Sequence, residues 1–481
     1  MVTLITCIVL LVLGFAVYGR VVEKVFGPQD NQTPAVRIND GVDYVPMKTW
    51  KVFLIELLNI AGTGPIFGAL SGALFGPVAY LWIVFGCIFG GAVHDYMIGM
   101  ISVRNDGEGI AELSGKYIGG GIKMTMRIFS IILLVMCGVV FTVGPAELLN
   151  TLLPSISAKV FFFIILAYYG LATFVPIDKI IGKIYPVFGA LLLIMAVGVL
   201  GSLFFSGFEM PELWNNFTNL HAKGTPIFPF LFITIACGAI SGFHATQSPI
   251  MARCIKKEKD GRFVFYGAMI AEGIIAMIWC AAGCTVFESS QALLDAGAGC
   301  SAVAYQICST TMGKVGCILA ILGVIVCPIS SGDTAFRSTR LVVADWVKID
   351  QSNPIYRISL TVPILIVAFI ISTLDYSVVW RYFSWSNQTL AMIALWTVAE
   401  YLCRNGKNWK VAALPAMFMS VITVSYFFAA PECLGKLWTL IGVSENIYYY
   451  GSIIAGVIAA VCFTRAFFVH KAKASADRLD Q

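Results

Sequence analysis

The sequence predicts an all-α integral membrane protein with about 13 transmembrane helices: two inverted five-helix repeats (5+5), one extra helix before them and two after. Three observations predict it. The chain has 481 residues, of which 58% are hydrophobic and 12% charged, with a mean hydropathy of +0.84. A soluble globular chain of this length needs more charge on its surface. Apolar stretches long enough to span a bilayer recur along the whole chain. Two of them interrupt themselves in the same way, at Ala61-Gly62-Thr63-Gly64-Pro65 and at Cys237-Gly238-Ala239-Ile240-Ser241-Gly242-Phe243-His244.

In chain order, the first span covers 2–19. It lacks a basic leader and is followed by Arg20 and Lys24, so it reads as an uncleaved anchor with its N-terminus outside. Residues 20–52, with Pro28, Asn31 and Pro34, form a cytoplasmic connection. Spans at 53–75, 77–101, 127–149, 157–175 and 184–206 make the first repeat, and spans at 228–252, 263–287, 311–336, 357–374 and 379–402 make the second. Two more, at 410–430 and 449–469, close the chain. The organisation is therefore 1–52 (extra helix and connection), 53–206 and 228–402 (the repeats), and 410–481 (two helices and a cytoplasmic tail). No loop is long enough for a soluble domain.

Charge sets the orientation. With the N-terminus outside and sides alternating, all but five of the 32 Lys and Arg residues fall in cytoplasmic segments; the five are Lys159, Lys223, Lys314, Arg381 and Lys436. Cytoplasmic loops of membrane proteins carry this excess, and an error of one span would scramble it. The C-terminus is then cytoplasmic. The second span runs outward and the seventh inward, five spans apart, which makes the repeats inverted, each with its first helix broken. A net charge of +5 needs no nucleic-acid partner when it lies in these loops.

Glycine and proline in mid-membrane break a helix where lipid forbids unpaired backbone, so the breaks must line an enclosed cavity. One such motif alone reads equally well as a close-packing face. Two at corresponding positions of opposed halves point to a substrate site. The half-helices that follow the breaks both begin near the midplane, and each helix start carries free N–H groups and about half a unit of positive charge. The expected substrate is a small anionic or zwitterionic molecule. Gly62, Gly64 and Gly242 allow close approach, while Thr63, Ser241, Thr246 and His244 add polar contacts.

Several blocks resemble the carbon starvation protein A (CstA) family: Ala61-Gly-Thr-Gly-Pro-Ile-Phe-Gly68, Phe89-Gly-Gly-Ala-Val-His-Asp95, Ser102-Val-Arg-Asn-Asp-Gly107, Pro229-Phe-Leu-Phe-Ile-Thr-Ile-Ala-Cys-Gly-Ala-Ile-Ser-Gly-Phe-His244 and Gly267-Ala-Met-Ile-Ala-Glu272. The likeness covers most of the chain, which looks like a short member of the family. It implies a cytoplasmic-membrane transporter induced under carbon limitation, carrying pyruvate with a proton, or peptides. It also implies a relation to the amino acid, polyamine and organocation superfamily and its LeuT-like fold, in agreement with the 5+5 repeat.

Ionisable residues within spans each cost about 2.5–3.5 kcal/mol at the bilayer centre unless paired or wet. His94 and Asp95 lie in the inner half of span 3, as a proton relay or a structural pair. His244 stands at the second break, where it holds the substrate, carries the proton or caps the helix. Glu272 sits in mid-span 8 with no charge within eight residues; it is a proton-coupling candidate or a simple interhelical bond. Glu56 and Glu400 are expected to snorkel to the inner interface.

Span 9 ends in Cys327-Pro-Ile-Ser-Ser-Gly-Asp-Thr-Ala-Phe-Arg337. Asp333 and Arg337 are spaced to pair at i,i+4. By analogy with the LeuT-like architecture, Ser330, Ser331 and Thr334 face the first break and ligate Na+ or a proton surrogate, or the stretch from Asp333 onward is a gate. Span 11 adds Asn387 and Gln388 as substrate or gate contacts. The coupling ion is expected to be H+, with Na+ as the alternative, and no other cofactor is expected.

Other chemistry is thinly represented. There is no P-loop, no HExxH or Cys-rich metal set, and no nucleophile beside a base, so an enzyme is not expected. Of 14 cysteines most lie in apolar spans as packing residues, though Cys300 and Cys308 are candidates for a disulfide if their loop faces an oxidising space. The reading is a secondary active transporter importing a small carboxylate; a peptide transporter, a channel or a nutrient sensor are the alternatives.

Overall fold

A computed structural model describes residues 1–41, 43–172, 185–205, 207–297, 301–349, 351 and 353–479. Its principal helices run in the order α1 (Val2–Phe26), α2 (Thr49–Ala61), α3 (Gly64–Phe75), α4 (Ala79–Arg104), α5 (Ile110–Tyr117), α6 (Gly120–Leu152), α7 (Ala158–Ala172) and α8 (Tyr185–Phe205). Then follow α9 (Phe230–Thr234), α10 (His244–Ala252), α11 (Glu258–Val286), α12 (Ser301–Val347), α13 (Pro354–Ser372), α14 (Tyr376–Arg404), α15 (Lys410–Ala429) and α16 (Glu445–Leu479). Among the described residues nine helices are long and apolar enough to cross a membrane, and the pair α2–α3, bent by 47° at its break, makes a tenth by length and composition.

Both predicted interruptions are present. The first is short: the chain leaves α2 at Gly62 (φ −25°, ψ −122°) and re-enters helix at Gly64, with Pro65 in the first turn, where its missing N–H is harmless. The second is longer, because α9 ends at Thr234 and α10 begins only at His244. Gly238 in that gap has φ +90°, a conformation that glycine adopts without strain. α12 differs from the predicted 311–336. Its helical run is longer at both ends and turns at Gly313 (φ 57°, ψ −138°), a kink that hydropathy does not reveal.

The helices sort into an inner group and an outer group. In α4 and α11, 83% and 78% of the apolar window is buried inside the protein, against 11% in α13 and 22% in α16. The outer helices turn Ile355, Ile370, Ile447 and Ile454 outward; such surfaces suit lipid and would be penalised in water. Close crossings rest on small residues. The Phe336 ring of α12 lies where a side chain on Gly138 of α6 would stand.

Four helices are tied together at one end. Arg104, the last residue of α4, donates to Glu258 Oε2 of α11 at 2.9 Å, to the Tyr401 hydroxyl of α14 at 3.2 Å and to the Gly27 carbonyl just beyond α1 at 2.6 Å. Glu258 accepts a second bond from Arg104 Nε at 3.1 Å.

Candidate substrate and ion site at the paired helix breaks

Small residues bring the two breaks into contact. A Cβ on Gly64, the first residue of α3, would lie 2.5 Å from Cys237 Sγ in the second break, and one on Gly68 would lie 3.4 Å from the Thr234 carbonyl. Gly91 of α4 sits against the Ala239 carbonyl, and Gly273 of α11 against Cys87 of α4. α3, α4 and α11 thus all press on the second break, which carries their side chains to one point. α3 starts at this contact, and the ring of His244, the first residue of α10, comes within 4.8 Å of the Cys237 sulfur.

Span 11 holds the second break open. Asn387 Oδ1 accepts the Phe243 N–H at 2.7 Å and its backbone carbonyl accepts the Gly242 N–H at 3.2 Å, while its amide nitrogen donates to Ser241 Oγ at 3.0 Å. Gln388 Nε2 donates to the carbonyls of Phe232 and Ile235, at 3.2 and 3.3 Å. A break in a low-dielectric interior must satisfy such backbone groups, and these two amides do so. The Thr246 hydroxyl turns back to the Phe243 carbonyl at 2.6 Å. At the first break the Thr63 hydroxyl is buried and has no hydrogen-bond partner.

The four ionisable groups singled out in spans 3, 7 and 8 form one buried chain. His94 Nδ1 lies 2.7 Å from Asp95 Oδ1, Asp95 Oδ2 lies 2.8 Å from His244 Nδ1, and His244 Nε2 lies 3.3 Å from Glu272 Oε2. All four side chains are fully buried. Glu272, isolated along the sequence, is therefore paired in space. With one ring proton His244 serves as donor to Asp95 or to Glu272; with two it serves both. Asp95 bridges two imidazoles and fixes the ring of His244 at the mouth of α10.

Glu56 departs from the sequence reading. It does not snorkel but is fully buried in α2 and accepts the Ser248 hydroxyl of α10 at 2.8 Å, with its other oxygen lacking a hydrogen-bond partner. The reason is tertiary: α10 packs along α2 and covers the position. Glu400 is also buried and lies 3.2 Å from His470 of α16.

α12 places its hydroxyls beside the first break. Ser331 Oγ donates to the Leu58 carbonyl at 3.1 Å, and a Cβ on Gly62 would lie 2.9 Å from that same oxygen. Ser330 and Thr334 bond to backbone carbonyls of their own helix, at 2.6 and 2.9 Å. Asp333 and Arg337 pair at 3.5 Å, and Arg337 also reaches the Ala172 carbonyl at the end of α7. The stretch thus divides: Ser331 stands at the break, and the ion pair stands against α7. Of the proposed disulfide, Cys300 lies outside the described residues and Cys308 is buried.

Cys237 is the site residue that the sequence alone left unassigned. It looked like one more packing cysteine, yet its sulfur stands within 4.8 Å of ligand atoms of both His244 and Glu272. Its position inside the break motif was the available signal.

Described residues that fold into helices, two of them broken and meeting at a buried polar centre, have the architecture of a LeuT-like membrane transporter. Solved structures agree: the manganese transporter of Eremococcus coleocola, in complex with an aromatic bis-isothiourea compound, superposes with a TM-score of 0.55 at 13% identity over 90% of this chain and 99% of that one. Mhp1 in an inward-facing conformation gives 0.52 at 15% identity, over 87% and 91%. At such identity the likeness concerns the fold.

Sequence relatives supply the family. The profile described as carbon starvation protein CstA matches residues 1–212 and 189–300, and the chain belongs to this family of membrane transporters. A membrane protein of Haemophilus influenzae is 46% identical over 349 residues, 61% of this chain and 94% of that protein. The pyruvate/proton symporter BtsT of Escherichia coli is 29% identical over 312 residues, 51% of this chain and 43% of the symporter. The peptide transporter CstA of Bacillus subtilis is 29% identical over 334 residues, 56% of each chain. The chain thus matches about half the length of these named transporters.

Proposed function

We propose that the chain is a secondary active transporter of the cytoplasmic membrane that imports a small carboxylate, pyruvate first, together with a proton under carbon limitation. One observation carries this reading: the two breaks meet, with the first residue of α3 against Cys237 and the ring of His244, the first residue of α10, within 4.8 Å of that same sulfur. Helix starts favour a negative group by about 0.3–1 kcal/mol each at exposed sites and more when partly buried. Because Asn387 already engages the Gly242 and Phe243 amides, the start of α3, with the unpartnered Thr63 hydroxyl, is the better seat for a carboxylate.

A cation taken up at the cluster of Asp95, His244 and Glu272 stands next to that seat, which links the movement of one charge to the other. The proton as driving ion is supported by the relative named a pyruvate/proton symporter. Sodium at Ser330, Ser331 and Thr334 is the alternative. The relatives named peptide transporters support a second reading, in which the substrate is a peptide. The distribution of Lys and Arg supports an external N-terminus and a cytoplasmic C-terminus.

The test is uptake by purified protein in liposomes given labelled pyruvate or a dipeptide, under an imposed pH gradient or an imposed Na+ gradient. Accumulation of pyruvate above equilibrium that follows the pH gradient is expected. Flux that only equilibrates under both gradients would sink the symport reading and leave a channel.

A further inference from the structure

We infer that Cys237 Sγ, His244 Nε2 and a carboxylate oxygen of Glu272 form a three-ligand site for a divalent transition metal, zinc fitting best, at the heart of the second break. The three ligand atoms lie within 4.8 Å of one another. The three residues are 3%, 0% and 0% exposed. Zinc bonds of about 2.0–2.3 Å in a tetrahedron set ligand atoms about 3.3–3.8 Å apart. His244 Nε2 and Glu272 Oε2 are already 3.3 Å apart.

A second observation points the same way. His244 Nε2 and both Glu272 oxygens are buried, and apart from the 3.3 Å approach of Nε2 to Oε2 no hydrogen-bond partner meets them. Leaving such groups unsatisfied costs about 1–3 kcal/mol each, more when charged, and a metal ion satisfies them together. The outer contacts have the form that metal sites require: the far ring nitrogen of His244 is held by Asp95 Oδ2 at 2.8 Å, and Asp95 is held by His94 at 2.7 Å. A carboxylate on the second nitrogen of a metal-bound histidine fixes its tautomer and orients the ring. Asn387 Nδ2 approaches Cys237 Sγ at 3.7 Å, a donor contact suited to a thiolate.

Charge balances as well. On binding, the Cys237 thiol gives up its proton to water, and the thiolate with the Glu272 carboxylate neutralises the dication, which a buried site demands. A thiolate, an imidazole and a carboxylate select a borderline ion such as zinc over magnesium or calcium, which take oxygen ligands. Three protein ligands leave one coordination position for water or for an oxygen of the transported carboxylate. With His244 and Glu272 held by a metal, Asp95 and His94 are the groups of the buried chain left to the coupling proton of the transport reading.

The test uses the full chain in detergent, stripped with a chelator and titrated with Co2+ while absorption is followed. One equivalent of cobalt producing a thiolate-to-metal charge-transfer band, displaced by one equivalent of Zn2+, is expected. Cys237→Ser should abolish that band while Cys462→Ser, at an exposed cysteine, keeps it. Asp95→Asn should weaken cobalt binding about 10–100-fold, as loss of an outer-shell partner does. A band that survives Cys237→Ser, or a titration without saturable binding, overturns the assignment. If Cys237→Ser does not fold, the wild type decides: a melting temperature that does not rise with saturating Zn2+ also overturns it. Uptake in liposomes reads the transport proposal separately, so either can fail alone.

Discussion

Cys237 Sγ of the second break stands 2.5 Å from the position that a Cβ on Gly64 of the first break would occupy. The two interruptions are therefore one packed unit, and the first prediction follows. Gly64→Ala should destabilise the protein by about 1–3 kcal/mol, as overpacking does, and depress uptake. Cys237→Ala should restore much of the lost stability in the double variant, with a coupling of about 0.5–3 kcal/mol. Thermal melting of the four proteins in detergent measures it; additive losses would show that the breaks do not touch.

Gly242 faces a harder obstacle. A Cβ there would meet the Asn387 carbonyl oxygen and the Ala391 backbone nitrogen, atoms of a helix backbone that cannot swing aside. Gly242→Ala should abolish uptake, with no rescue from trimming the Leu390 side chain nearby. Uptake equal to wild type would contradict the contact.

Asn387 is expected to act through its amide oxygen more than through its nitrogen. Asn387→Ala leaves the Phe243 N–H buried without its 2.7 Å acceptor, a loss of about 1–3 kcal/mol. Asn387→Asp keeps an acceptor and should lose less at that bond. Melting temperatures and uptake of the two variants, ranked Asp above Ala, check this.

Asp95 is the hub of the buried chain, since it bonds two imidazoles at once. Removing one partner from a buried charged set costs about 3–5 kcal/mol, so Asp95→Ala should melt well below wild type. Its uptake should fall at least about 100-fold if 3 kcal/mol of positioning is lost. Near wild-type stability for Asp95→Ala would show that the chain is not an organised unit.

Arg104 and Glu258 tie α1, α4, α11 and α14 at one end of the molecule. Glu258→Gln should cost about 1.5–3 kcal/mol, the range for bonds to charged groups. It should also raise the labelling of nearby Cys254, now 5% exposed, by an impermeant maleimide. Labelling is expected in inside-out vesicles and not in right-side-out ones, which tests the proposed orientation at the same time.

Part of this site was legible along the chain. Gly62, Gly64, Gly238 and Gly242 announced the breaks because they recur at corresponding positions of two opposed halves, where a close-packing face alone would not repeat, and the isolated Glu272 announced a buried partner because an uncompensated charge is costly there. The partners themselves were not legible. Asn387 and Gln388 sit 144 or more positions from the residues they hold, and nothing in their local sequence says that their amides serve Phe243, Phe232 and Ile235. Glu56 misled for the same reason: its place near a predicted span boundary argued for water, while the packing of α10 took water away.

The sequence by itself determined that the chain lives in a membrane as a set of apolar helices, and which two of them are broken, since hydropathy and backbone permissiveness are properties of consecutive residues. Only the tertiary structure decided that Gly64 meets Cys237, that Asp95 and Glu272 reach His244 from opposite sides, and that Cys237 joins them. Those relations depend on how closely α3, α4 and α11 approach the second break, a matter of side-chain volume at Gly68, Gly91 and Gly273 and the surfaces opposite them.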